Sequence, residues 1–184
     1  MRRRRWHVSP SAAAGSLTNA DRIPSWFLPV SGDLRVGGRY QLQGNANGVI
    51  ERCTEPESFA VTWEFGGALS WLAVTLTPDG ERTTLELAHQ APVDPERWAR
   101  YGPSAVGIGW DLALIGLGQH LDRGAAVDPR EAAAFLASPD GVEFVRIAAT
   151  GWAAAVTSLP RRGRPRRERW PSTRSRLRPL PAVR

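Results

Sequence analysis

Lysine is absent from the chain: all 24 basic residues among its 184 are arginine. With abundant Ala, Gly and Pro, that usage reads as GC-rich coding rather than as a selected property. There is one cysteine, Cys53, which excludes an internal disulfide and a cysteine-built metal site and fits a reducing compartment. The three histidines, His7, His89 and His120, form no close pair at metal-ligand spacing. No apolar run reaches the roughly 18 residues that a membrane span requires. The stretch after the first arginines, Ser9–Ser16, is too polar for the apolar core of a secretion signal. These absences predict a cytoplasmic protein without metal, cofactor or membrane span.

What is present is unevenly spread. Residues 1–5 hold four arginines, and residues 160–184 hold ten with a single Glu. The body between them has ten arginines against seventeen acids, so the net charge of +6 describes two basic ends on an acidic body. An apolar share of 42% with eight Trp is enough for a core.

Residues 1–16 lack a sustained period and are expected to be irregular, with at most a short extended piece at Trp6-His7-Val8. Thr18 or Asn19 can cap a short helix over Ala20–Phe27. Five segments then alternate at period 2, separated by turns: Arg39–Gln43, Val49–Cys53, Ser58–Phe65, Ser70–Thr77 and Thr83–His89. Asn45-Ala46-Asn47-Gly48 is expected to be a turn, with Asn47-Gly48 suited to a hairpin. A sheet with one apolar face needs a cover. The stripe Trp110, Leu114, Leu117, Leu121 supplies it on a helix over Ser104–Leu121, with Asp111 and Gln119 off the stripe. Accessory helices come after Asp128-Pro129 and Ser138-Pro139, before an Arg/Pro-rich tail expected to be disordered.

That order tightens into a resemblance through particular residues. Leu17-Thr18, Arg22 and Trp26-Phe27 are similar to an opening segment of the START-like (SRPBCC) superfamily, in its activator of Hsp 90 ATPase homologue-like branch. Gly37-Gly38-Arg39-Tyr40 resembles the branch's strand entry, and Gly48–Glu51 and Ala60–Trp63 its next two strands. Thr83–His89 resembles its last strand. Gly109-Trp110 with Leu114, Leu117 and Leu121 resembles its long helix. The resemblance implies an α+β helix-grip fold, a curved antiparallel sheet wrapped round a long C-terminal helix, over residues 17–121. Residues 1–16 would be a basic arm, 122–159 accessory helices and 160–184 a tail. Members normally begin with a further strand; its absence here would leave a sheet edge unpaired. A misassigned start or shifted frame at the ends would produce both that gap and the unmatched tail.

Sheet and helix should face each other across a space that is either a filled core or a mostly apolar pocket. Its expected walls are Tyr40, Leu42, Trp63 and Phe65 from the first strands, Leu72, Val74, Leu85 and Leu87 from the last, and Trp110 and Leu114 from the helix. Alternation puts Glu51 beside Val49 and Cys53, and His89 beside Leu85 and Leu87. The two could form a buried polar pair, either structural, or an anchor for a guest, or an acid–base couple. Cys53 reads as a small core residue. The resemblance implies a module binding a hydrophobic small molecule or a protein client, with no evident catalytic residues. A polyketide cyclase-like enzyme of the same fold is the alternative, and nucleic-acid association through the arginine-rich ends is the third reading.

Overall fold

The structure, a computed structural model, describes residues 1–157; the arginine-rich tail at 160–184 lies outside them. One antiparallel sheet of seven strands carries the fold: β1 (Arg2–Trp6), β2 (Val30–Gly32), β3 (Arg39–Leu42), β4 (Asn47–Thr54), β5 (Ser58–Phe65), β6 (Ala68–Asp79) and β7 (Arg82–Gln90). Their spatial order is β1-β7-β6-β5-β4-β3-β2. The helices are α1 (Pro10–Thr18), α2 (Pro95–Tyr101), α3 (Ser104–Arg123), α4 (Pro129–Ala137) and α5 (Pro139–Thr157), with a 3-10 turn at Ile23–Ser25. A core of Leu72, Val74, Leu85 and Leu87 from the sheet meets Leu114 and Leu117 of α3. This is the expected helix-grip arrangement, with β3 to β7 on the five alternating segments.

The amino terminus is not irregular. The arginine run is itself the outer strand β1, antiparallel to β7 with Arg2 opposite Leu87 and Trp6 opposite Thr83. Its alternation is one of ionic partners rather than of hydrophobicity. Arg2 and Arg4 reach Asp111 on α3, while Arg3 pairs with Glu86 and Arg5 with Asp79. The edge expected to lie open along β7 is therefore paired, and the new outermost strand is rich in charge, which discourages strand addition.

The first helix is also displaced from the expected Ala20–Phe27. It forms at Pro10–Thr18, where Ser9 accepts from the Ala12 amide and Pro10 occupies the first turn. Asn19, expected to start a helix, instead accepts the Asp21 amide at 2.8 Å in a local turn, and Pro24 sits in a helical piece no longer than the 3-10 turn. The β3–β4 hairpin turns over residues 43–46, with Gly44 at a φ of 67°, so Asn45 and Ala46 lie in the turn as expected while Asn47 and Gly48 open β4. Gly48 lies within β4, where a Cβ would collide with the Thr62 carbonyl of β5.

Two further helices follow α3. Asp128 caps α4 by accepting the Arg130 amide, and Ser138 accepts the Gly141 amide at the start of α5. The helix α5 packs on α3 through Trp152, whose indole occupies the space a side chain at Gly107 would fill.

Candidate ligand cavity

Between the concave face of the sheet and α3 the protein leaves a cavity of about 190 Å³. Nine of the ten expected wall residues line it, among them Tyr40, Trp63, Trp110 and Leu114. Phe65 does not: it lies at the end of β5 and is 54% exposed. The segment from α1 to β2, which has no strand alternation to mark an inward face, adds Leu17, Trp26 and Phe27 to the wall. Trp26 stacks on Phe27 and Phe27 on Trp110, at centroid distances of 5.4 and 6.4 Å, and Trp63 meets Trp110 edge-on at 5.0 Å. A continuous aromatic row thus forms one side of the space.

The residues of β4 differ most from expectation. Between Ile50 and Arg52 the register with β5 slips, so that Ile50 stands opposite Val61 but Arg52 opposite Ala60 and Cys53 opposite Phe59. Glu51 is the extra residue of this bulge, which reverses the alternation beyond it. Ile50 and Cys53 consequently face the cavity, and Glu51 is exposed away from it. Cys53 is not a core residue; it is exposed at the cavity rim beside Glu55. Partial burial and then the Glu55 charge raise the Cys53 thiol pKa.

His89 does not meet Glu51, nor does it line the cavity. It sits behind the wall, packed against the rings of both Trp63 and Trp110. The Trp110 indole N–H donates to His89 Nδ1 at 2.9 Å, which places the ring proton on Nε2. Nε2 in turn donates to Ser70 Oγ at 2.8 Å, and Ser70 donates to the Trp63 carbonyl at 3.0 Å. Burial, and secondarily the positive α-amino group of Met1, lowers the His89 pKa. The imidazole is a satisfied strut that fixes both tryptophans of the wall. Tyr40 is held similarly: its hydroxyl donates to the Thr62 carbonyl at 2.8 Å, and burial followed by the Glu64 charge keeps it protonated far above its usual range.

Outside the cavity, Asp111 is buried to 2% exposure although it falls off the apolar stripe. Its Oδ2 accepts from Arg2 at 2.6 Å and from the Trp152 indole at 2.9 Å, and the Arg2 guanidinium lies 4.0 Å over the Trp152 ring. The carboxylate thereby joins β1, α3 and α5. Sequence spacing could not show this, since the partners lie 109 and 41 residues away. The four arginines of β1 all reach acids, with Arg3, Arg4 and Arg5 still 43–66% exposed, and the ten further arginines on which nucleic-acid association would draw lie outside the described residues. Among the described residues no group of His, Cys, Asp and Glu could hold a metal, and no helix is long and apolar enough to cross a membrane.

Residues 14–122 match the family model described as Activator of Hsp90 ATPase homolog 1-like protein. Among solved structures, the chain is similar to CalU16 from Micromonospora echinospora in both a crystal and a solution structure. The crystal structure is 30% identical over 85% of this chain and 86% of that one, with a TM-score of 0.68. The solution structure is 32% identical over 85% of each chain, with a TM-score of 0.73. An HSP90 activator from Plasmodium falciparum shares the fold at 21% identity, over 67% of this chain and 94% of that one, with a TM-score of 0.54. No curated protein matches the chain.

Proposed function

The chain belongs to the Activator of Hsp90 ATPase homolog 1-like family, and from that premise we propose that it holds a small hydrophobic guest between its sheet and α3. The observation that carries this reading is the cavity itself, about 190 Å³ of space walled by apolar and aromatic side chains. Apolar cavities near 150 Å³ stay dry and take up benzene-sized guests, whereas drug-sized ligands occupy roughly 300 Å³ or more. The guest is therefore compact, on the scale of one or two fused rings. Tyr40, Trp63, Trp110 and Leu114 contact it, and His89 holds the tryptophans in place without touching it. The cytoplasm, where the single Cys53 stays reduced, suits such a protein.

A cyclase-like enzyme of the same fold is the first alternative, and an acid–base pair of Glu51 and His89 would have been one support for it. With Glu51 on an exposed bulge and both His89 nitrogens engaged, that pair is not formed. A protein client is the other alternative, and it would use the outer surface rather than the cavity. Soaking the purified protein in a mixed lipid and aromatic library, then reading retained masses under native conditions, separates the two. Retention of compact aromatic compounds supports the guest; a protein that retains none while binding a partner chain contradicts it.

A further inference from the structure

We infer that the cavity selects hydrophobic amines over carboxylic acids of the same skeleton; this rests on the guest-holding reading above and names the ligand class. The hydrogen-bonding groups of the wall carry it. Four of the lining donors are consumed inside the protein: Tyr40 Oη on the Thr62 carbonyl, Thr18 Oγ1 on the Ala14 carbonyl, Trp26 Nε1 on the Ser16 carbonyl and Trp110 Nε1 on His89. That leaves the Trp63 indole and the weakly donating Cys53 thiol, and neither carries a charge. Among the described residues, no arginine or histidine lines the space, and the only ionisable carboxylate there is Glu55 at the rim. Arg52, next to Cys53, stands opposite Ala60, one step out of phase with the lining residues Phe59 and Val61.

An anion entering this cavity would find no cation among the described lining residues to balance it, and a like charge at the mouth. Burying a carboxylate without a partner is costly, and leaving it at the rim places it beside Glu55. An amine has the opposite prospect. Its apolar body can lie against the aromatic row while its ammonium group stays at the rim, hydrated and close to the Glu55 carboxylate. A neutral alcohol should fall between the two.

Calorimetric titration of the full chain at pH 7 and low salt, with 2-naphthylmethylamine, 2-naphthylmethanol and 2-naphthoate, tests this. A single exposed charge pair changes affinity by about two- to five-fold. Attraction of the amine and repulsion of the acid should together separate those two by about tenfold. In Glu55→Gln the amine-to-alcohol ratio should fall to about one. If naphthoate binds as tightly as the amine, or the ratio survives in Glu55→Gln, the selectivity is overturned while the guest-holding reading stands. If none of the three probes binds, the guest-holding reading falls and the selectivity with it.

Discussion

The indole N–H of Trp110 donates to His89 Nδ1 across 2.9 Å, so α3 is fastened to β7 by an imidazole that must stay neutral to accept the bond. Burial lowers the His89 pKa in the folded protein below the value of about 6.5 that applies when unfolded. On acidification the unfolded chain therefore binds the proton first, and folding stability falls as pH drops below about 6.5. Urea denaturation at pH 7.5 and 5.5 checks the sign. The native protein should lose more stability over this interval than His89→Gln, whose amide can accept from Trp110 and donate to Ser70. Equal losses would show that His89 does not carry the acid sensitivity.

Asp111 gathers three elements, and removing it strands the Arg2 guanidinium against Trp152. Asp111→Ala should cost about 3 kcal/mol, because a buried charged partner is lost while the other group remains. Arg4→Ala should cost less than about 1 kcal/mol, since Arg4 is 43% exposed and 3.7 Å from the carboxylate. Equilibrium unfolding of the two variants side by side gives the comparison.

Gly107 is required by the approach of Trp152, so Gly107→Ala should destabilise the protein by about 1–3 kcal/mol through overpacking. Adding Trp152→Leu should recover part of that cost, because the atoms that clash are gone. A double variant whose loss equals the sum of the two single losses would place the effect of Gly107 elsewhere, such as in helix propensity.

Filling the cavity should abolish guest binding while keeping the fold. Val74→Trp or Val61→Phe adds bulk to the wall and should lower stability by about 1–3 kcal/mol. Circular dichroism reports the fold, and titration with 2-naphthylmethanol reports the space. Undiminished binding in both variants would put the guest on the outer surface.

The strands β3 to β7 were legible because each buries one face and alternates at period 2, and the long helix because its apolar stripe repeats over three turns. β1 was illegible for a physical reason: four consecutive arginines show no hydrophobic alternation. Their real alternation lies in whether an acid on α3 or one on the sheet's other face receives them. Glu51 was misplaced because Ile50 rather than Val49 faces the cavity, while the extra residue at the bulge brings Cys53 back to the expected side, and no composition signal marks either. His89 was found as a polar residue on an apolar strand face and is half-buried, but its partners Trp110 and Ser70 arrive from other elements. The cavity walls were thus readable strand by strand, while the polar contacts that set their geometry depended on distant pairings.

The eight tryptophans provide a direct test of the central claim, that a guest occupies the space between sheet and helix. Among the described residues, Trp26, Trp63 and Trp110 line the cavity, whereas Trp98 is exposed on α2. In a titration with 2-naphthylmethanol monitored through the indole N–H resonances, the three lining signals should shift saturably with one-to-one stoichiometry while Trp98 stays fixed. Shifts that centre on Trp98, or lining signals that do not move at saturating probe, would contradict it.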